Sequence, residues 1–227
     1  MECLWCDEEI ILNMNWNNFL VLPARQPVCT ECLKGLEVIN GNRCRICSRP
    51  SVLDRCTDCK RWQKVIPSEY DIIKNHSIYT YNDFMQSILA KWKYRGDYCL
   101  GGIFKDQTQK SFKNVYGNLV KETVTVPIPL SEERQNERGF NQAEMIADFL
   151  PLETADVLKR IHGEKQSKKS RFERINTQNP FFLSETVKKT VILVDDIYTT
   201  GTTLRHAAVL LREAGCPEVY TFTLIRS

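Results

Sequence analysis

The stretch from Val191 to Leu204, VILVDDIYTTGTTL, constrains what this chain can fold into more than any other. It reads as an apolar, β-branched run (Val191 to Val194), two adjacent acids (Asp195, Asp196) and a small-hydroxyl turn, Thr199-Thr200-Gly201-Thr202-Thr203, that opens a helix. Val and Ile without polar alternation suit a central parallel strand covered on both faces. The acids then fall at its carboxyl end, where open α/β sheets bind ligands. The turn beyond them offers hydroxyls and backbone N–H groups at a helix N-terminus, a natural seat for a phosphate. Acids on one side and a phosphate cradle on the other imply a ligand with both hydroxyls and a phosphate. A buried strand followed by an Asp-rich turn and a capped helix is the plainer alternative, and it leaves the TTGTT turn at this offset unexplained.

That combination resembles the 5-phosphoribosyl-1-pyrophosphate (PRPP) motif of type I phosphoribosyltransferases. The resemblance implies that Asp195 and Asp196 hold the ribose hydroxyls, and that Thr199, Thr200, Gly201, Thr202 and Thr203 hold the 5′-phosphate.

Eight of the ten cysteines form four CxxC knuckles before residue 60: Cys3/Cys6, Cys29/Cys32, Cys44/Cys47 and Cys56/Cys59. A two-residue spacer lets both thiolates of a knuckle reach one tetrahedral ion, so repeated pairs in a reducing compartment favour zinc over disulfides or redox-active pairs. The sum fits two structural Cys₄ zinc sites, with no position left open for water. Sequential pairing is favoured, the first two knuckles on one ion and the last two on another; a cross-braced arrangement also fits. Cys99 and Cys216 stand apart and are expected to be packing residues. Residues 1–64 carry little apolar periodicity, so metal would supply the folding energy of this zinc-binding module. A 22-residue insert between the first two knuckles holds Trp16, Phe19, Leu20, Val21 and Leu22, as a small hairpin or a packing patch.

Net charge is only +3, so nothing global demands nucleic acid, and any basic surface must be local. The N-terminus lacks a basic region followed by an apolar one, and no run approaches the ~18 apolar residues that span a bilayer. The default expectation is a cytoplasmic protein without direct membrane insertion.

From residue 65 to 227 strands and helices alternate, which predicts a mostly parallel sheet with right-handed crossovers. His76 to Tyr81 reads as a strand. Phe84, Ile88, Leu89 and Trp92 recur at helical spacing, with Gly96 at the helix end. A polar helix is expected around Lys105 to Glu122, a strand over Thr123 to Ile128 that stops at Pro127 and Pro129, and a helix from Asn141 to Leu150. Val191 to Val194, a helix from Thr202 to Ala214 and the strand Val219 to Ile225 complete a βαβ unit.

Two other stretches carry chemistry. VPIPLSEERQNERGFNQ (Val126 to Gln142) reads as a strand end and a loop in which Arg134 and Arg138 flank a glycine turn. Guanidinium groups there suit a pyrophosphate; a solvated loop balanced by Glu132, Glu133 and Glu137 fits equally. From Lys159 to Arg174 seven basic residues stand against two acids without apolar periodicity. This surface segment reads as a lid over an anion, as a contact for a nucleic-acid backbone, or as an inert loop. Trp92-Lys93-Tyr94-Arg95 alternates aromatic and basic side chains and could stack on and neutralise a single strand, although Trp92 also fits a helix core. Lys93, Arg95, Lys165, Lys168, Lys169 and Arg171 are therefore the candidate DNA contacts.

The order of these blocks, the CxxC knuckles, KYRGD, VPIPL…RxxxRGFNQAE, R…Q…S…ERxN…F and VILVDDIYTTGTTL, resembles the ComF late-competence proteins over nearly the whole chain. By position, Arg134, Arg138, Gly139, Phe140 and Asn141 fall in that family's pyrophosphate-loop region, and Gln166, Ser170, Arg174 and Asn176 in its flexible loop. The resemblance implies a type I phosphoribosyltransferase fold, with helices on both faces of the sheet, behind the zinc module. It also implies a role in natural transformation: handling imported single-stranded DNA beside a cytoplasmic, ComFA-like helicase, with PRPP or a related phosphosugar as ligand, and magnesium with PRPP if the site turns over. A phosphoribosyltransferase of nucleotide salvage and a zinc-stapled adaptor with a vestigial PRPP site remain as alternatives.

Overall fold

The computed structural model describes residues 1–11, 26–94, 97–119, 121–160 and 179–227. Trp16, Phe19, Leu20, Val21, Leu22, Arg95, Gly96, and the whole run from 161 to 178 with Lys165, Gln166, Lys168, Lys169, Ser170, Arg171, Arg174 and Asn176 lie outside the described residues.

Seven strands are described: β1 (Asn75–Thr80), β2 (Thr123–Pro127), β3 (Glu153–Thr154), β4 (Leu158–Arg160), β5 (Phe181–Leu183), β6 (Thr190–Tyr198) and β7 (Val219–Arg226). Five form one sheet in the order β1-β7-β6-β2-β3 with every pairing parallel, and β4 and β5 form a separate antiparallel ribbon. The helices are α1 (Thr30–Lys34), α2 (Thr57–Trp62), α3 (Asp83–Tyr94), α4 (Lys105–Tyr116), α5 (Glu132–Arg138), α6 (Gln142–Asp148) and α7 (Thr202–Glu213).

Central β6 shows why the sheet is covered twice. Val191 and Leu193 join one core with Val124, Val126, Leu204, Ala208 and Leu211, while Ile192 and Val194 join the other with Ile88, Trp92, Phe112 and Ile146. All four strand residues are fully buried. Each side chain so placed contributes about 1.5–3 kcal/mol of burial, and the alternation fixes which helices lie on which face.

β6 extends four residues past the apolar run that marks it in the sequence. Asp195 to Tyr198 remain strand because β7 continues beside them, pairing Asp195 with Thr223 and Tyr198 with Arg226. On the other side β2 stops at Pro127, opposite Val194. Pro129 offers no N–H to continue the ladder, so the acids stand beside a gap in the sheet. The polar stretch expected to be helical to Glu122 ends at Tyr116; a 3₁₀ turn at Gly117–Leu119 and Glu122 at φ +61° turn the chain into β2.

The cysteine knuckles do not sit apart from this sheet. Cys3 and Cys32 pack into the core that holds Ile192 and Val194, and Cys44, Cys47, Cys56 and Cys59 into the core that holds Val191 and Leu193. Cys216 is buried as expected, whereas Cys99 is exposed and does no packing. Among the described residues no helix is long and apolar enough to cross a membrane.

Candidate functional site: a charged cavity at the sheet end

The segment read as a loop after β2 folds into two short helices, because its capping residues outweigh its lack of an apolar stripe. Ser131 Oγ accepts from Arg134 N (3.4 Å) to start α5, and Gly139, at φ +76°, ends it. Asn141 then caps α6, its side chain accepting from Ala143 N (3.0 Å) and donating to Ile128 O (3.0 Å). These bonds tie the start of α6 to the end of β2 and turn both arginines toward the gap beside β6.

The result is a cavity of about 320 Å³ lined by Lys93, Arg134, Arg138, Asn141, Gln142, Arg160, Asp195, Asp196 and Thr203, together with Ile128, Pro129, Leu130 and Ala143. Four basic side chains face two acids. Lys93 Nζ is paired with Asp196 Oδ2, both side chains being nearly buried. Burial pushes the Asp196 carboxyl up, but Lys93 and then Arg138 more than reverse this and hold it below its ordinary range. Asp195 has no ion-pair partner among the described residues: burial, then the charge of Asp196, pushes it up to about 8. Burial and the charge of Arg134 press Arg160 down from the usual guanidinium range, so two cations crowd one wall that an anion would relieve. Gln142 is 1% exposed, and its Nε2 has no hydrogen-bond partner among the described residues. An unspent buried donor in a basic cavity suits a phosphate oxygen.

The turn after β6 is held from the opposite side. Thr200 and Thr202 share a hydroxyl–hydroxyl bond of 2.8 Å, and Gly201, at φ +79°, precedes α7, whose first turn has no side-chain cap. Of the five turn residues Thr203 lines the cavity, and Thr199 to Thr202 do not. Of the proposed DNA contacts, Lys93 is drawn into the cavity and not onto an open face, and Trp92 is a core residue. Tyr94 and Tyr98 are the exposed rings here, 73% and 54% exposed, with the Arg138 guanidinium 5.8 Å from the Tyr94 ring centre. Arg160 and Lys93 escaped the sequence reading of the cavity because only tertiary structure brings them to the acids.

The cysteines gather as Cys3/Cys6/Cys29/Cys32 and Cys44/Cys47/Cys56/Cys59, the sequential pairing, with the sulfurs of each group within 4.8 Å of one another. Tetrahedral zinc with bonds of about 2.3 Å needs sulfurs roughly 3.8 Å apart; Cys6 and Cys29 stand at 3.7 Å and Cys47 and Cys56 at 3.6 Å. Both groups therefore fit the ion. They are also built alike: the third cysteine's N–H donates to the first sulfur at 3.3 Å in each, and a helix starts at the next residue. The repeat is legible in CTEC and CTDC, a signal the spacing argument passes over.

Comparison with known proteins decides the family. The chain is 41% identical to the Competence protein ComFC of Bacillus subtilis over 99% of its own length and 95% of that protein. The chain belongs to the ComFC competence proteins. The ComFC of Streptococcus pneumoniae is 33% identical over the full length of both. Within this ComFC-family chain the phosphoribosyl transferase domain family matches residues 136–227, a range that takes in Arg138, Asn141, Arg160 and all of Asp195 to Thr203. Among solved structures, a hypoxanthine phosphoribosyltransferase from Staphylococcus aureus aligns with 56% of the chain and 65% of its own at 16% identity and a TM-score of 0.36. The phosphoribosyltransferase-like fold of this ComFC-family member rests on the domain match and on the parallel sheet itself.

Proposed function

We propose that the cavity at the ends of β2 and β6 binds PRPP or a related phosphosugar, and that the protein uses it while handling single-stranded DNA during uptake. The carrying observation is the arrangement around Asp195 and Asp196: one carboxylate neutralised by Lys93, one left for ribose hydroxyls, and Arg134, Arg138 and Arg160 in the same cavity with Gln142 Nε2 and Arg138 Nε buried and without a hydrogen-bond partner among the described residues. Magnesium would enter with the pyrophosphate and neutralise part of its charge. The two cysteine groups hold structural zinc, which supplies folding energy to a segment with little core of its own. Membership of the ComFC family supports a role in DNA uptake, and on this reading the work is done in the cytoplasm beside a DNA-dependent helicase partner. Tyr94, beside Arg138, and Tyr98 are exposed rings that offer stacking faces for a strand.

Titration calorimetry with PRPP and Mg²⁺ tests this reading, followed by the same titration with a single-stranded oligonucleotide. Binding heat in the wild type and none in Asp195→Ala/Asp196→Ala is expected, and the oligonucleotide should bind more weakly as salt rises. Absence of PRPP heat in the wild type would overturn the ligand site.

Asp195 favours a second reading. A carboxyl pushed up to about 8 exchanges protons near neutral pH, as a base must if the N–H of an acceptor attacks C1 of PRPP, forming the N–C1 bond, expelling pyrophosphate and giving its proton to Asp195. Pyrophosphate release across a panel of nitrogen acceptors tests it.

A further inference from the structure

The second cysteine group touches two buried arginines that the binding site does not use. Arg226, at the end of β7 and 4% exposed, donates from Nη2 to Cys47 Sγ (3.6 Å). Arg205, in the first turn of α7 and fully buried, donates from Nη2 to Cys59 Sγ (3.8 Å) and pairs with Asp71 at 2.9 Å. Among the described residues, arginine–sulfur contacts belong to this group alone. A divalent cation on four thiolates carries a charge of −2, which two guanidiniums answer; a buried guanidinium without such a partner is costly.

The same arginines hold the turn after β6. Arg226 Nη1 donates to Tyr198 O (2.9 Å) and Thr199 O (2.8 Å). Trp62, one helix turn beyond Cys59, donates from Nε1 to Thr200 O (2.9 Å). The Tyr198 ring lies 4.8 Å from the Arg226 guanidinium and 5.9 Å from that of Arg205, and Arg205 also lies 5.1 Å from the Trp62 ring. Three successive carbonyls are thus drawn toward the cysteine group. Because a trans peptide points its N–H opposite its C=O, the amides of Thr199, Thr200 and Gly201 face away from it.

We propose that the second four-cysteine group is a metal centre that sets the position of the 198–203 turn, with Arg205 and Arg226 as the positioning residues that link the two. This rests on the metal reading above and is independent of whether PRPP binds. Outer partners of metal ligands typically change metal affinity 10–100-fold, so the link works in both directions: losing an arginine loosens the metal, and losing the metal frees the turn.

The test uses the full chain loaded with cadmium, whose two tetrathiolate NMR signals report the groups separately once Cys6→Ser, at an exposed position of the first group, assigns them. In Arg226→Met the second-group ion should be removed by a chelator at a 10–100-fold lower concentration, the first-group ion should be retained as in the wild type, and amide exchange over 198–203 should quicken at least tenfold. Trp62→Phe, which keeps the ring and loses the donor, should quicken exchange of the same turn with both ions retained. If Arg226→Met does not fold, Arg226→Lys keeps the charge, loses the multiple contacts and carries the same expectation. Wild-type exchange over 198–203, or both ions leaving at the wild-type chelator concentration, overturns the coupling. A chain that retains no cadmium overturns the metal reading and the coupling with it.

Discussion

Replacing Lys93 by Met removes the ammonium paired with Asp196 and keeps the apolar stem. Lys93 and Asp196 are 13% and 11% exposed as side chains, so water screens neither well. In the variant Asp196 keeps only the help of Arg138 and of its hydrogen bond with Asp195 against its burial, and its folded pKa rises above the ordinary 3.8. A ceiling limits the damage, since the carboxyl takes up a proton once that is the easier course. Protonating a group of reference pKa 3.8 at pH 7 costs about 4 kcal/mol, and at pH 5 about 1.6 kcal/mol. A loss of about 2–4 kcal/mol at pH 7 lowers Tm by roughly 5–15 °C in a chain of this size. The sign follows from linkage: a raised folded pKa gives stability that is complete below the unfolded value and lost as pH climbs, so the gap to the wild type should grow from about pH 4 toward neutrality. Scanning calorimetry from pH 5 to 8 reads it, with Lys91→Met as control, because the Lys91–Asp97 pair is long (3.8 Å) and about one-third exposed. A gap that is flat across this range, or that widens toward acid, refutes the pairing of Lys93 with Asp196.

Two further outcomes follow from buried features. Burial, then Arg43 and Lys74, holds His76 down at about 4 while its Nε2 meets Ser111 Oγ at 2.7 Å; with the folded pKa depressed, stability is full above about pH 6.5 and drains toward pH 4, by about 2 kcal/mol at pH 5, and His76→Gln should flatten that slope in urea denaturation at pH 7 and 5. Gly201→Ala places a Cβ against Tyr198 Oη and Arg205 Nη1 at φ +79°, so Tm should fall by several degrees and PRPP affinity at least tenfold, and unchanged calorimetric binding would mean the turn does not need this conformation.

Val191 to Val194 was legible as a buried strand because double coverage leaves no polar alternation to confuse it. Its extension to Tyr198 was not, since the cause is β7, which pairs Tyr198 with Arg226, 28 positions further along. Helix α5 was missed for the opposite reason: EERQNER has no apolar stripe, and its boundaries lie in Ser131 and Gly139, which a loop would also contain. At the site, Arg134, Arg138, Asn141, Asp195, Asp196 and Thr203 were named from motifs and do converge. Lys93 was read by its aromatic neighbours in the sequence, and its role is set by an acid 103 positions away. Asn141 belongs to the cavity as expected, yet its amide is spent on Ile128 O and Ala143 N, which makes it a brace.

The sulfur contacts of Arg226 and Arg205 span 179 and 146 positions of the chain. A ribosome adding roughly 5–20 residues per second therefore makes the second cysteine group about 10–35 s before the last strand that covers it. During that interval four thiols wait without their guanidinium partners, open to oxidation or to capture of another metal. If the groups take the metal they fit, the order of synthesis asks each knuckle pair to load and close on its own ion first, and leaves the sheet to arrive later and cover it.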